Sequence, residues 1–284
     1  MKYLKFVKIE HTLFSLPVVF SGTFLALSGK PLSLREFFWI FLAVSGARSV
    51  GFGLNRILDR DIDAKNPRTA SREIPSGKIS EKEAWVFTAL SALIFMISSG
   101  QLSQTCFALS FIPLLFFALC PFLKRKTLFC HLGLGLAWGI APLGGWLAVS
   151  PEIFPFLRLL PVLLLSGFCV FWVAGFDIIY ALLDEDFDRK NGIYSMPAVL
   201  GARDALSAAR IFHFVSLMFL GTLVQIFLYH PLSFGFLLLA AVLLVISHWK
   251  VSTEPLTPPV IDFAFFKMNA ALAFVVFFMI WIKG

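Results

Sequence analysis

Long apolar runs separated by short polar segments organise this chain from end to end. A helix that crosses the hydrocarbon core of a bilayer needs about 20 mainly apolar residues. Runs of that kind predict nine helices, at residues 11–28, 36–58, 84–100, 104–122, 127–148, 157–182, 207–229, 232–249 and 262–282. The pattern therefore predicts an all-α, polytopic membrane protein.

The composition supports a membrane location. Of the 284 residues, 58% are apolar and 14% are charged, whereas a soluble domain carries about 25% charged residues. This balance excludes a soluble globular protein and is the reverse of the composition of disordered chains. The basic N-terminus and the apolar run at 13–27 also resemble a cleaved signal peptide. Because Glu10 and His11 interrupt that region and everything downstream is equally apolar, we interpret it as the first membrane helix.

The net charge of +7 does not indicate nucleic-acid binding, because the basic residues gather in short segments between apolar runs. With a cytoplasmic N-terminus, the two long polar loops at 59–83 and 183–206 lie in the cytoplasm with most of the 24 Lys and Arg residues. The basic residues then left outside are Lys30, Arg35, Arg158 and Lys283. The positive-inside rule favours this orientation.

The four cysteines stand in apolar surroundings without a CxxC spacing, which predicts free thiols and neither a disulfide nor a zinc framework.

Two acidic patterns lead from apolar helices into the long loops. The first is Asn55-x3-Asp59-x3-Asp63, and the second is Asp177-x6-Asp184-x3-Asp188. Such steps keep side chains on one face of a helix. The repetition predicts a single domain spanning 1–284 with two related halves, about 1–126 and 127–284, whose acidic faces converge on one central cavity.

Carboxylates at this spacing are suited to Mg²⁺, which prefers one or two carboxylates together with substrate phosphates. The basic residues Arg68, Arg72 and Lys124 lie in polar segments at the same membrane level and would bind the remaining charge of a diphosphate. The simpler alternative is that loops at a membrane surface are charged and neutralise one another. A diphosphate bound there points to an amphiphile with its tail in lipid, and an isoprenyl diphosphate fits that description.

Arg48 lies inside the second predicted helix, seven residues before Asn55 and on the same face. A guanidinium at that depth costs about 2.5 to 3.5 kcal/mol on insertion scales, so we expect it to face the cavity. It would hold the anionic part of a substrate, or serve only as a counter-ion to Asp177 or Asp184.

The motifs resemble the signatures of the UbiA family of intramembrane prenyltransferases. The first signature covers residues 55–63, 66–69 and 72–77, and the second covers 177–181, 184–188 and 195–197. Residues 121–125 and 133–135 resemble the middle region of the family, so the similarity extends over nearly the whole chain.

The resemblance implies a nine-helix bundle whose central cavity opens to lipid, and Mg²⁺-dependent transfer of a prenyl chain. Position by position, it implies two metal sites, with Asn55, Asp59 and Asp63 holding one metal and Asp184 and Asp188 the other. It implies that Arg68, Arg72 and Lys124 bind diphosphate, and that Arg48, Asp177 and Tyr180 serve catalysis.

The implied reaction joins an isoprenyl diphosphate to a small aromatic acceptor at the bacterial inner membrane, with the active-site loops in the cytoplasm. The expected acceptor is 4-hydroxybenzoate, in ubiquinone biosynthesis. Alternatives are a 1,4-dihydroxy-6-naphthoate-type acceptor of the futalosine route to menaquinone, or haem, homogentisate or a glycerol phosphate lipid. A secondary transporter is an alternative from another class, because repeated halves and intramembrane charges also occur there.

Overall fold

The computed structural model describes residues 2–8 and 12–283, and within them every regular element is helical. In chain order the α-helices are α1 (Lys2–Phe6), α2 (Thr12–Leu27), α3 (Leu34–Leu58), α4 (Arg60–Lys65), α5 (Glu81–Leu102), α6 (Gln104–Leu109), α7 (Phe111–Leu123), α8 (Cys130–Val149), α9 (Leu160–Ala181), α10 (Glu185–Lys190), α11 (Met196–Leu200), α12 (Ala202–Phe227), α13 (Pro231–Thr253), α14 (Pro258–Asp262) and α15 (Met268–Lys283). Two 3-10 turns, Phe156–Leu159 and Leu182–Asp184, flank α9, and a π-helical segment, Phe263–Lys267, joins α14 to α15.

Eight helical segments of the described chain are long and apolar enough to cross a membrane. They comprise α3, α5, α6 with α7, α8, α9 with its flanking turns and α10, α12, α13, and α14 with α15. The remaining predicted span, 11–28, corresponds to α2, which has 16 residues and is shorter than the others. The all-helical, multi-pass membrane fold predicted from the sequence is confirmed.

The two long polar loops contain more helix than the sequence predicted. Helix α4 lies within 59–83, α10 and α11 lie within 183–206, and α12 begins at Ala202 and not at 207. The start of α12 is amphipathic, with Ala205 and Ala209 buried and the charged residues Arg203, Asp204 and Arg210 exposed. Counting apolar runs cannot detect such a helix, because its buried stripe is narrow and its other face is polar.

Serine and glutamate define where two of the spanning helices begin. Ser33 caps α3 and Ser80 caps α5, and each side chain accepts a hydrogen bond from the backbone N–H three residues later. Glu36 and Glu83 complete the two capping boxes by accepting from the backbone N–H of the cap residues. These bonds satisfy backbone donors that a helix start would otherwise leave without partners.

The chain forms two compact units. One comprises Met1–Thr12 and Ser33–Phe122, and the other comprises Leu13–Leu32 and Leu123–Gly284. In the first unit, α3 packs against α5 with close backbone approach, since a Cβ on Gly46 would lie 2.9 Å from the carbonyl oxygen of Ser91. Close approach at small residues is the usual way that membrane helices pack.

The second unit contains a large apolar core and several backbone contacts at glycine. Trp172 and Phe168 of α9 are fully buried in this core with Leu220 of α12. On α8, a Cβ at Gly135 would collide with the carbonyl oxygen of Val170, so α8 and α9 touch backbone to backbone there. Farther along the same helix, Gly145 makes an equally close contact with Val19 of α2.

Candidate active site

The first acidic pattern follows one continuous helical path across the junction of α3 and α4. The backbone N–H of Asp59 donates to the carbonyl of Asn55 (3.0 Å), and that of Asp63 donates to the carbonyl of Asp59 (2.8 Å). The side chains of Asn55, Asp59 and Asp63 therefore keep to one helical face. The amide Nδ2 of Asn55 also donates a hydrogen bond to Oδ2 of Asp59 (2.9 Å). The amide oxygen of Asn55 does not take part in this bond and is the atom that could coordinate a cation.

Both carboxylates of this face are buried, and one forms an ion pair with a predicted diphosphate ligand. Asp59 and Asp63 are 1% and 4% exposed. Nη1 of Arg72 donates to both carboxylate oxygens of Asp63, each at 2.7 Å. The structure thus brings a predicted metal ligand and a predicted phosphate ligand into direct contact. Their roles toward a metal and a diphosphate stay predictions.

A compact turn after α4 contains Arg68 and Arg72. Oδ1 of Asn66 accepts a hydrogen bond from the backbone N–H of Arg68 (3.0 Å), and Oγ1 of Thr69 donates to the carbonyl of Asp63 (3.0 Å). Asn66 and Thr69 are both buried. Buried polar side chains that bond to backbone fix a turn, so the two arginines extend from a defined framework.

Arg48 lies against the N-terminal segment. Its Nη2 donates to the carbonyl oxygens of Val7 and Lys8, each at 3.1 Å, and its guanidinium stacks over the ring of Phe52 at 5.1 Å. These bonds hold the chain just after α1, whose Phe6 is fully buried. At the other end of α1, Lys2 donates to the carboxylate of Glu83, and this hydrogen bond raises the pKa of Lys2 above its ordinary value.

We expect Arg48→Gln to loosen α1. Hydrogen bonds to a charged group contribute about 1.5 to 3 kcal/mol each, and the substitution removes a guanidinium that makes two of them. Hydrogen exchange followed by mass spectrometry should show faster exchange of residues 2–8, with α5 unchanged. Unchanged exchange at 2–8 combined with a raised KM would instead assign Arg48 to substrate alone.

The second acidic pattern crosses from α9 through a 3-10 turn into α10. Asp177 lies in the last turns of α9, Asp184 ends the 3-10 turn, and Asp188 lies within α10. Asp188 is buried, and its Oδ2 accepts a hydrogen bond from Oγ of Ser195 at 2.7 Å. Asp184 is half-buried at the N-terminus of α10.

Asp177 has a histidine partner that the sequence analysis missed. Nδ1 of His131 lies 2.6 Å from Oδ2 of Asp177, and Nε2 of His131 accepts a hydrogen bond from the backbone N–H of Met196 (3.1 Å). The His131 side chain is 3% exposed and that of Asp177 is 25% exposed. The signal was in the sequence, because His131 lies in an apolar helix that has no Asp, Glu, Lys or Arg, and an ionisable residue there is a functional candidate.

The backbone of residues 194–196 forms hydrogen bonds with residues from several segments of the candidate site. The N–H of Tyr194 donates to the carbonyl of Lys124 (2.7 Å), and the carbonyl of Tyr194 accepts from Sγ of Cys130 (3.5 Å). The next two residues make the contacts described above, Ser195 with Asp188 and Met196 with His131. Lys124 therefore lies in the same polar neighbourhood as the second acidic pattern.

Tyr180 lies one turn after Asp177 on α9, and its ring packs against Phe265 with centroids 4.3 Å apart. This contact belongs to an apolar cluster around Ile178 and Ile179. The catalytic role implied for Tyr180 stays a prediction.

The donor groups of the two acidic patterns fit a hard divalent cation, because they are carboxylate and amide oxygens. Across residues 2–8 and 12–283, no three His, Cys, Asp or Glu side chains form a cluster that would hold a metal. The predicted metal ligands include only two carboxylates in each unit, fewer than such a cluster requires. The assignment of Asn55, Asp59, Asp63, Asp184 and Asp188 as metal ligands therefore stays a prediction.

Sequence comparison relates the chain to one family of membrane enzymes. The UbiA prenyltransferase family profile matches residues 15–281. A 4-hydroxybenzoate octaprenyltransferase of Photobacterium profundum is 30% identical over 239 residues, which cover 83% of this chain and 79% of the relative. The same enzyme of Yersinia pseudotuberculosis is 34% identical over 207 residues, covering 72% and 70% of the two chains.

Solved structures show the same fold. The apo structure of a UbiA homolog from Aeropyrum pernix K1 superposes with a TM-score of 0.86 at 31% identity, covering 96% of this chain and 98% of that one. A UbiA homolog from Archaeoglobus fulgidus bound to GPP and Mg²⁺ has a TM-score of 0.73 at 20% identity, covering 99% of both chains. At that identity the second likeness concerns the fold alone.

Proposed function

The chain belongs to the UbiA prenyltransferase family, and from this premise we propose that it transfers a polyprenyl group to a small aromatic carboxylate of the 4-hydroxybenzoate type. It is a prenyltransferase and a multi-pass membrane protein. The observation that carries the proposed acceptor is the 30% to 34% identity to 4-hydroxybenzoate octaprenyltransferases over most of the chain. The reaction would serve quinone biosynthesis.

Family membership also implies dependence on a divalent metal, and we propose Mg²⁺. Asn55, Asp59 and Asp63 would hold one ion, and Asp184 and Asp188 would hold another. When bound, the metal neutralises negative charge on the diphosphate leaving group. The oxygen-only donor set supports this choice, as does the Mg²⁺ bound by the Archaeoglobus fulgidus homolog.

The basic side chains of the proposed site bind the diphosphate as it leaves. Nη1 of Arg72 makes both bonds to Asp63, which leaves Nη2 and Nε as its donors for phosphate oxygens. Arg68 and Lys124 supply further positive charge. The allylic C–O bond breaks with its electron pair going to the diphosphate, and the stabilisation of that charge is the main contribution of the protein.

The remaining steps form the product. A carbon of the electron-rich ring attacks the allylic cation, a C–C bond forms, and the ring carbon releases its proton to Asp177. Exclusion of water prevents the cation from being quenched. Arg48 would hold the anionic part of a substrate, and Tyr180 would lie beside the reacting groups, one turn from Asp177 on α9.

We further propose that the enzyme lies in the bacterial inner membrane with its N-terminus and both active-site loops in the cytoplasm. The distribution of Lys and Arg residues supports this orientation. The soluble aromatic acceptor would then reach the site from the cytoplasm, while the prenyl chain enters from lipid.

Prenyl transfer by the purified protein in liposomes tests the proposal. Geranyl or farnesyl diphosphate is supplied with Mg²⁺ and, in separate reactions, 4-hydroxybenzoate or 1,4-dihydroxy-6-naphthoate. We expect prenylated 4-hydroxybenzoate, and no product after chelation of the metal. Product with the naphthoate alone would assign the enzyme to menaquinone biosynthesis. Absence of product with either acceptor would refute the proposed acceptor class.

A further inference from the structure

We propose that His131 is a positioning residue that orients the Asp177 carboxylate to receive the proton of the aromatic acceptor. The inference rests on the proposed function, because His131 acts only through Asp177, the base of the proposed reaction. It concerns α8, α9 and the start of α11, which all belong to the second unit.

The hydrogen bonds of His131 determine where its proton lies. A backbone N–H can only donate, so the bond from Met196 to Nε2 requires a lone pair on that nitrogen. The proton of the neutral imidazole then lies on Nδ1, which donates to Oδ2 of Asp177 at 2.6 Å. This tautomer keeps Asp177 an acceptor, as a base must be, and fixes which of its two oxygens is occupied.

The imidazole is held from several sides. Its side chain is 3% exposed. The Met196 N–H begins α11, and the preceding Ser195 is bound to Asp188. One turn along α8 from His131, the backbone contact between Gly135 and Val170 sets the spacing of α8 and α9. A ring fixed in this way limits the rotation of the carboxylate to which it donates.

Asp177 is the accessible member of the pair. Its side chain is 25% exposed while the histidine is buried, so a ligand can reach the carboxylate but not the imidazole. In the proposed reaction the ring carbon keeps the electron pair of its C–H bond as the ring regains aromaticity, and the proton passes to Oδ1 of Asp177. His131 retains its own proton throughout and contacts no substrate.

A purely structural histidine would show the same burial, so the test must separate positioning from packing. The amide nitrogen of asparagine lies near the level of Nδ1, whereas that of glutamine lies near the level of Nε2. We therefore expect His131→Asn to retain a donor to Asp177 and more activity than His131→Gln. His131→Leu removes the donor completely.

The assay measures kcat and the KM of both substrates for the three variants, for Asp177→Asn, and for the double variant His131→Leu with Asp177→Asn. A positioned base contributes about 100- to 10,000-fold to a rate, so His131→Leu should lower kcat at least about tenfold. The KM for the prenyl diphosphate should be unchanged. In the Asp177→Asn background, His131→Leu should have no further effect on kcat, because the two residues act as a unit.

Thermal unfolding in detergent identifies variants that fail to fold. If His131→Leu fails to fold, the comparison of His131→Asn with His131→Gln still distinguishes positioning of Asp177 from packing. Wild-type activity of His131→Leu, additive losses in the double variant, or greater activity of Gln than of Asn would each overturn the inference. Absence of aromatic prenylation by the wild-type protein would instead refute the proposed function, which the same assay records separately.

Discussion

Asp59→Asn and Asp184→Asn are each expected to abolish prenyl transfer while the purified protein remains folded. The substitution keeps the size of the side chain, and Asn55 can still donate to an amide oxygen at position 59. What is lost is one negative charge from each proposed metal site. Electrostatic groups of this kind contribute about 100- to 1,000-fold each to kcat, so we expect each variant to lose at least about 100-fold, measured by product formation at saturating substrates.

The chain provides a matched control beside each aspartate. Asp61 is 82% exposed and lies two residues from Asp59, and Asp186 is exposed and lies two residues from Asp184. Asp61→Asn and Asp186→Asn make the same change of charge two residues away from the proposed metal ligands. We expect both to keep nearly full activity. Equal losses in all four variants would indicate a general effect of loop charge and contradict the metal assignment.

Gly145→Ala is expected to destabilise the protein. A Cβ at this position would collide with the carbonyl oxygen of Val19, and a backbone atom cannot rotate away as a side chain can. Overpacking of this kind costs about 1 to 3 kcal/mol, and more where the backbone must move. The thermal midpoint in detergent and the monodisperse yield should both fall.

The adjacent glycine supplies the control. A Cβ on Gly144 would have no atom within 4 Å, so Gly144→Ala makes the same change in the same helix without a collision. We expect its thermal midpoint to equal or slightly exceed that of the wild type, because alanine is the better helix former. Similar losses for both variants would show that the close contact with α2 does not limit stability.

The sequence predicted most of the membrane-spanning helices, because each contains an apolar run that hydropathy alone identifies. It also predicted four free cysteines, which the structure shows. It did not predict α4, α10 and α11 or the early start of α12. Those segments are short or amphipathic, and capping groups such as Ser195 define them where apolar length does not.

The acidic patterns were visible in the sequence because each follows helical spacing, and the path from Asn55 through Asp63 is indeed helical. Contacts between distant positions were not visible. The pair of His131 and Asp177 joins residues 46 positions apart, and the bonds of Arg48 to residues 7 and 8 span about 40 positions. Such contacts depend on how helices pack, which hydropathy and local spacing do not encode.

The membership of α2 in the second unit has a consequence for how the protein is made. Thr23 donates to the carbonyl of Gly145, a residue 122 positions later in the chain. At about 5 to 20 residues per second, the ribosome takes about 6 to 24 seconds to reach that partner. During this interval Ser21 and Thr23 can bond to the carbonyls of Pro17 and Val19 within their own helix. The hydroxyls of Ser21 and Thr23 thus have hydrogen-bond partners within α2 before α8 is synthesised.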